Sequence, residues 1–190
     1  MRNPVRLKNL RARFLPFLAL GLLVLFTSQP SRGSLVLGSI VLLLGFLLRG
    51  WGAGYLVKND ALTTAGPYAH VRHPLYVGTL LVGTGFALGI GGWWALAILF
   101  AFGSWFFGIY FPRKDRIEGE RLEALYGEQY AAYRSAVPAL WPRWRAYSAG
   151  STERTRWSLE HYSENNELGT ALALFVGWLL LAWRFTEGVR

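Results

Sequence analysis

The chain has 190 residues, of which 53% are hydrophobic, and it carries a net charge of +9 and no cysteine. The length favours one domain, and the lack of cysteine excludes disulfides, thiolate metal sites and cysteine nucleophiles. The apolar residues come in long blocks, so basic residues beside membrane spans explain the charge better than a nucleic-acid partner does. We therefore predict an all-α, polytopic integral membrane protein.

The first two predicted spans follow a basic N-terminal head. Residues 1–13 contain five basic residues and no acid, and an apolar run follows at 14–26. No small-x-small cleavage site follows this run, which favours an uncleaved first span over a signal peptide. The second span covers 34–57 and contains Arg49, whose charge costs about 2.5–3.5 kcal/mol inside a membrane. Arg49 either faces a cavity and pairs with a ligand or carboxylate, or it snorkels to the interface.

The third and fourth spans, 75–90 and 93–111, are joined by a glycine-rich turn. Gly83, Gly85 and Gly89 superficially resemble a dinucleotide loop, but their spacing is G-x-G-x-x-x-G and no strand precedes them. Close packing between helices explains these glycines better. We therefore predict a hairpin of two membrane helices.

Beyond residue 113 the sequence becomes charged but keeps a helical apolar stripe. The predicted helix covers 113–135 and is ended by prolines, beginning with Pro138. Trp141 and Trp144 lie among arginines and are predicted to be interfacial anchors. A last apolar block, 168–183, is marginal in length for a full span. The sequence thus predicts about five transmembrane helices.

Basic residues are distributed unevenly between the predicted sides of the membrane. With the N-terminus inside, the inner segments hold sixteen Lys and Arg residues, and the outer loop and C-terminal tail hold three. The positive-inside rule then places the N-terminus and two polar stretches, 58–74 and 113–145, in the cytoplasm. We predict a multi-pass protein whose pocket faces the cytoplasm and is closed by the second stretch.

Each of these polar stretches carries a cluster of ionisable side chains. One cluster comprises Tyr68, Arg72, His73 and Tyr76, and the other comprises Lys114, Arg116, Glu118 and Glu120. Because a helical hairpin joins the stretches, we expect the clusters to be adjacent in space. Cations, acids and aromatic rings at the lipid–water boundary suit a zwitterionic, partly aromatic ligand. Neither cluster has the spacing of metal ligands, so we predict no metal site.

Two motifs in these stretches carry a family resemblance. The first is Gly66-Pro67-Tyr68 with Arg72-His73-Pro74-Leu75-Tyr76, and the second runs from Glu118 through Tyr126-Gly127-Glu128-Gln129-Tyr130 to Val137-Pro138. Together they resemble the isoprenylcysteine carboxyl methyltransferase and phospholipid methyltransferase superfamily of integral-membrane enzymes. The likeness covers 49–142, which is the motif-bearing core of the single predicted domain 1–190. Residues 143–190 form its C-terminal connection and last membrane helix.

The resemblance implies S-adenosylmethionine as cofactor, S-adenosylhomocysteine as product, and a role for each matching residue. The implied cofactor-binding residues are Asp60, Ala61, Leu62, Thr63, Tyr68, His73, Pro74, Leu75, Tyr76 and Glu118. The implied catalytic, substrate-side residues are Arg72, Lys114 and Arg116. The sequence departs from the family at Gly119, which replaces the second acid of a Glu-Glu pair. It also departs at Lys114, which replaces an arginine and lacks the planar fork that grips a carboxylate.

Three functions remain open on the sequence. The first is isoprenylcysteine carboxyl O-methyltransferase-like transfer to a lipophilic substrate that enters from the bilayer. The second is N-methylation of phosphatidylethanolamine or another lipid amine with the same cofactor. The third is a non-catalytic membrane transporter or scaffold that kept the fold, which the missing second acid would favour. The expected partners are the lipophilic substrate and membrane lipids.

Overall fold

The structure is a computed structural model that describes residues 19–57, 61–148, 156–165 and 167–188. Its helices are α1 (19–27), α2 (Arg32–Tyr55), α3 (Pro74–Ile90), α4 (Gly92–Trp105), α5 (Phe111–Ala136), α6 (Leu159–Glu164) and α7 (Glu167–Gly188). The described part of the chain contains no strand, which confirms the prediction of an all-α protein.

Three described stretches of helix are long and apolar enough to cross a membrane, and a fourth is apolar but shorter. The long ones are Arg32–Tyr55, Gly92–Ala136 and Glu167–Gly188, and the shorter one is Pro74–Ile90. These helices confirm a polytopic membrane protein. The predicted first span, 14–26, is described only from residue 19 onwards.

The sequence predicted a membrane helix over 93–111 and a charged helix over 113–135, whereas the structure joins them in one helical stretch of 45 residues from Gly92 to Ala136, with a kink at Gly127. A π-helical turn at Phe106–Tyr110 joins its two parts, and the Phe111 N–H donates to the Phe106 carbonyl five residues back. Pro112 follows in the first turn of α5, where its missing N–H is tolerated. The charged half therefore continues directly from the span.

Gly127 divides α5 into two parts. Its φ of +48° lies in the left-handed region that favours glycine, and it breaks the helical course of the backbone. Beyond this kink, Tyr130 and Tyr133 on the helix and Val137 just after it are at most 3% exposed and form one buried hydrophobic cluster. The kink thus folds the end of α5 back onto the polar loop before α3.

The closest helix pair is α2 with α3, and glycines line the contact. A Cβ built on Gly85 would lie 2.6 Å from the backbone nitrogen of Leu42, and one on Gly38 would lie 2.7 Å from the Gly85 carbonyl oxygen. Such distances leave no room for a side chain. The predicted close packing is confirmed at all three glycines, because a Cβ on Gly83 would also meet the Phe102 ring of α4, and one on Gly89 the Trp178 ring of α7.

Arg49 pairs with a carboxylate inside the helix bundle, which settles the two alternatives left by the sequence. Its Nη2 lies 2.6 Å from Glu167 Oε1 and its Nε lies 3.1 Å from Oε2, so the guanidinium and carboxylate form a two-pronged pair. The Nη1 donates to the Thr79 hydroxyl at 2.6 Å and the Leu75 carbonyl at 3.3 Å. Arg49 therefore joins α2, α3 and the first turn of α7.

Candidate active site

The polar loop before α3 is fixed in place by the chain that follows α5. The His73 N–H donates to the Ala139 carbonyl at 3.1 Å, and the buried Tyr133 hydroxyl donates to the Tyr68 carbonyl at 2.8 Å. A short 3₁₀ turn, Gly66–Ala69, begins the loop with a glycine at a φ of +58°. The backbone that presents the site's side chains is therefore hydrogen-bonded both within this turn and just before α3.

A cavity of about 290 Å³ lies between this loop, the ends of α2 and α3, and the first half of α5. Ten predicted site residues line it: Ala61, Leu62, Thr63, Tyr68, Arg72, His73, Pro74, Leu75, Tyr76 and Glu118. Asp60 lies outside the described residues. Glu118 of the second cluster therefore meets the first cluster at one cavity, as the helical hairpin predicts.

Lys114 and Arg116 are not among the described residues that line the cavity, and both are exposed. Arg116 stands two positions before Glu118 and points about 160° away from it, whereas Lys114 stands four positions before Glu118, on the same side of the helix but one turn closer to the start of α5. The substrate role of the two cations stays a prediction.

Sequence reasoning missed a second strip of the wall. It consists of Arg121, Leu122, Leu125 and Tyr126 on α5, with Leu56, Val57 and Tyr133 from its surroundings. Residues 122, 125 and 126 stand four, seven and eight positions after Glu118, which places them on the same helix face. That spacing is visible in the sequence, where we read it only as a general apolar stripe.

His73 is the centre of the polar contacts in the site. Its Nε2 lies 2.7 Å from Asp115 Oδ1, and its Nδ1 lies 3.6 Å from Glu118 Oε2. The Tyr76 hydroxyl donates to the Glu118 carboxylate, and Arg72 Nη1 lies 3.4 Å from Asp115 Oδ1. The hairpin thus joins the two clusters through direct contacts, with Asp115 as a partner that we did not predict.

Burial of the imidazole lowers the pKa of His73, although the hydrogen bond with Asp115 acts in the opposite direction. We expect a neutral His73 at pH 7 and a titration midpoint below the ordinary value of about 6.5. Folding then favours the neutral form, so the contribution of His73 to stability falls as the pH drops below about 6.5. NMR titration of the protein, with His73→Gln to assign the signal, measures the midpoint. A midpoint at or above 6.5 would contradict this prediction.

Residues 32–129 match the family model described as phospholipid methyltransferase. The chain belongs to this family. The matched region runs from the start of α2 to just past the Gly127 kink and includes every cavity-lining residue named above except Tyr133. The family's defining region is therefore also the region that builds the cavity.

Two curated proteins resemble this member of the phospholipid methyltransferase family. The cobalt-zinc-cadmium resistance protein CzcN of Cupriavidus metallidurans is 35% identical over 62% of this chain and 53% of its own length. The protein-S-isoprenylcysteine O-methyltransferase of Schizosaccharomyces pombe is 34% identical over 43% of this chain and 33% of its own length. The matches thus span about half or less of these relatives. No solved structure matches the chain.

Proposed function

We propose that the protein transfers a methyl group from S-adenosylmethionine to a lipophilic acceptor that reaches the cavity from the bilayer. The observation that carries this proposal is the convergence of both superfamily motifs on one cavity at the end of apolar helices. The cofactor supplies a methyl group bound to a positively charged sulfur, so the protein has mainly to position the reactants and exclude water.

The polar groups of the cavity fit the amino-acid part of this cofactor. Glu118 Oε2 and His73 Nδ1 lie 3.6 Å apart and can both accept hydrogen bonds from an ammonium group. Within the described chain, the Arg72 Nε is buried and has no hydrogen-bond partner, and a ligand carboxylate would satisfy it. The apolar wall of α5, with Leu122 and Tyr126, suits the aromatic part of the ligand.

The first candidate acceptor is a carboxylate, as in isoprenylcysteine O-methylation. Two cations on the wall, Arg72 and Arg121, would hold it, and a carboxylate needs no base before it attacks a methyl group. The relative named as an isoprenylcysteine O-methyltransferase supports this choice. We retain the exposed Lys114 and Arg116 as residues that would attract an anionic acceptor toward the cavity.

The second candidate acceptor is a phospholipid amine, which the matching family description favours. An amine must lose a proton, and His73 or Glu118 would accept it. Labelled-methyl transfer with a prenylcysteine analogue and with phosphatidylethanolamine separates the two candidates. A methyl ester releases volatile label in base, whereas an N-methyl group does not.

We further propose that the cavity faces the cytoplasm and lies at the level of the lipid headgroups. The uneven distribution of basic residues supports this orientation. The segment that hydrogen-bonds to the start of α3 also carries Trp141 and Trp144, which are 79% and 99% exposed. Such aromatic side chains favour the membrane–water interface, where they would contact lipids.

Calorimetric titration of the purified protein in detergent with S-adenosylhomocysteine tests the cofactor proposal. We expect the wild type to bind and Glu118→Gln to bind at least about tenfold more weakly, because a hydrogen bond to a charged group contributes roughly 1.5–3 kcal/mol. His73→Ala should also weaken binding. Glu120→Gln is the matched control, since Glu120 is exposed on the same helix and is not among the described lining residues.

The same titration has a clear negative outcome. A folded wild type that does not bind S-adenosylhomocysteine would contradict the enzyme proposal and favour the non-catalytic transporter or scaffold. Equal weakening by Glu118→Gln and Glu120→Gln would place the ligand away from the cavity.

A further inference from the structure

The proposed function assigns no role to Asp115, yet this residue makes the shortest hydrogen bond of the buried His73. Its Oδ1 lies 2.7 Å from His73 Nε2, and the His73 side chain is 7% exposed. Asp115 is not among the described residues that line the cavity, so it touches the site only through its neighbours. Arg72 Nη1, at 3.4 Å, is a charged partner of the same carboxylate oxygen.

This contact determines which imidazole nitrogen carries the proton. An ionised carboxylate can only accept hydrogen bonds, so Asp115 requires a hydrogen on His73 Nε2. In a neutral imidazole Nδ1 then has a free lone pair, and burial of His73 favours the neutral form by lowering its pKa. The other groups around the ring are Glu118, Arg72, the stacked Tyr76 and the edge-on Phe111.

The free lone pair of Nδ1 faces another acceptor. Glu118 Oε2 lies 3.6 Å away, which leaves two acceptors side by side at the cavity. Since neither atom can donate when His73 has its hydrogen on Nε2 and Glu118 is ionised, the pair is suited to a ligand that brings hydrogens of its own. An ammonium group provides several hydrogens together with a complementary charge.

We propose that Asp115 is a positioning residue, which holds the Nε2 proton of His73 and so keeps Nδ1 and Glu118 ready to accept an ammonium group of the ligand. The inference rests on the proposed function, because the ammonium group belongs to the amino-acid part of the cofactor. Asp115 then controls affinity for the amino-acid part of the ligand and not for its nucleoside part.

Two probes separate positioning from a general structural role. S-adenosylhomocysteine carries the ammonium group, whereas 5′-methylthioadenosine has the same nucleoside and lacks the amino-acid part. In Asp115→Asn the side-chain amide can donate to Nε2 as well as accept from it, so the histidine proton is no longer held on Nε2 and can move to Nδ1. We expect this variant to bind S-adenosylhomocysteine at least about tenfold more weakly and methylthioadenosine within about twofold of wild type. Glu120→Gln should change neither affinity.

The outcomes distinguish this inference from the proposed function. Wild type that binds S-adenosylhomocysteine, with Asp115→Asn unchanged or weakened equally for both probes, would overturn the positioning role alone. Wild type that binds neither probe would overturn the proposed function and the positioning role with it.

A direct measurement on the wild type reports the protonated nitrogen of His73 without any change at Asp115. ¹⁵N NMR distinguishes a protonated imidazole nitrogen from one with a free lone pair. We expect His73 to show a protonated Nε2 and a free Nδ1 at pH 7, assigned by loss of the signals in His73→Gln. A protonated Nδ1 in the wild type would overturn the proposal.

Discussion

Replacing Glu167 by alanine is expected to destabilise the folded protein by about 3–5 kcal/mol, the cost of leaving one member of a buried ion pair without its partner. The side chains of Arg49 and Glu167 are only 17% and 5% exposed. Without the carboxylate, the guanidinium keeps its charge inside the bundle and loses both prongs of its pair. Thermal unfolding in detergent, followed by intrinsic fluorescence, measures the effect.

The same substitution should disturb the cavity. Arg49 Nη1 also donates to the Leu75 carbonyl, and Leu75 is part of the cavity wall. An arginine without Glu167 is free to turn toward water or lipid, and the first turn of α3 then loses this contact. We therefore expect weaker binding of S-adenosylhomocysteine by Glu167→Ala at temperatures where the variant is still folded.

A double substitution shows whether the unpaired charge causes the loss. Arg49→Met with Glu167→Leu replaces the ion pair with apolar side chains, which buried sites often tolerate without loss of stability. We expect the double variant to recover most of the stability lost in Glu167→Ala. Glu160→Ala, an exposed carboxylate on the neighbouring α6, should remain within about 0.5 kcal/mol of wild type. A double variant no more stable than Glu167→Ala would show that Glu167→Ala loses stability through the missing Arg49–Glu167 contact and not through the unpaired charge of Arg49.

The Arg49–Glu167 pair also shows why part of the structure was not predictable from the sequence. Hydropathy located α2 and α7, and the cost of a buried charge indicated that Arg49 either has a partner or reaches the membrane interface. The partner lies 118 positions away along the chain. Spacing rules relate residues within a helix or across a short turn. They therefore could not show whether Arg49 pairs with a ligand, pairs with a carboxylate or reaches the interface.

The site was more predictable because a helical hairpin connects its two halves. A hairpin returns the chain to the same side of the membrane, so His73 and Glu118 were expected to meet, and they do. Asp115 was missed although it stands three positions before Glu118 and therefore shares its helix face. That periodicity predicts Asp115 once α5 is known to continue directly from the membrane span through the π-helical turn.

Replacing Gly85 by alanine is expected to destabilise the protein by about 1–3 kcal/mol, because the added methyl group must separate α2 from α3. The added Cβ at position 85 would lie 2.6 Å from the backbone nitrogen of Leu42 and 2.9 Å from the Leu42 Cα. Both atoms belong to the backbone of α2, so no side-chain rotation relieves the clash. One of the helices has to move.

Movement of α3 reaches the site, since the helix begins at Pro74 on the cavity wall. Gly85→Ala should therefore lower both the unfolding temperature and the affinity for S-adenosylhomocysteine, measured as for Glu167→Ala. Gly103→Ala is the matched control, because a Cβ at Gly103 in α4 meets no atom within 4 Å. We expect Gly103→Ala to stabilise the helix by roughly 0.5–1 kcal/mol, because alanine loses less backbone freedom than glycine when the chain folds. Equal stability of the two variants would show that α2 and α3 lie farther apart than the glycine contact requires.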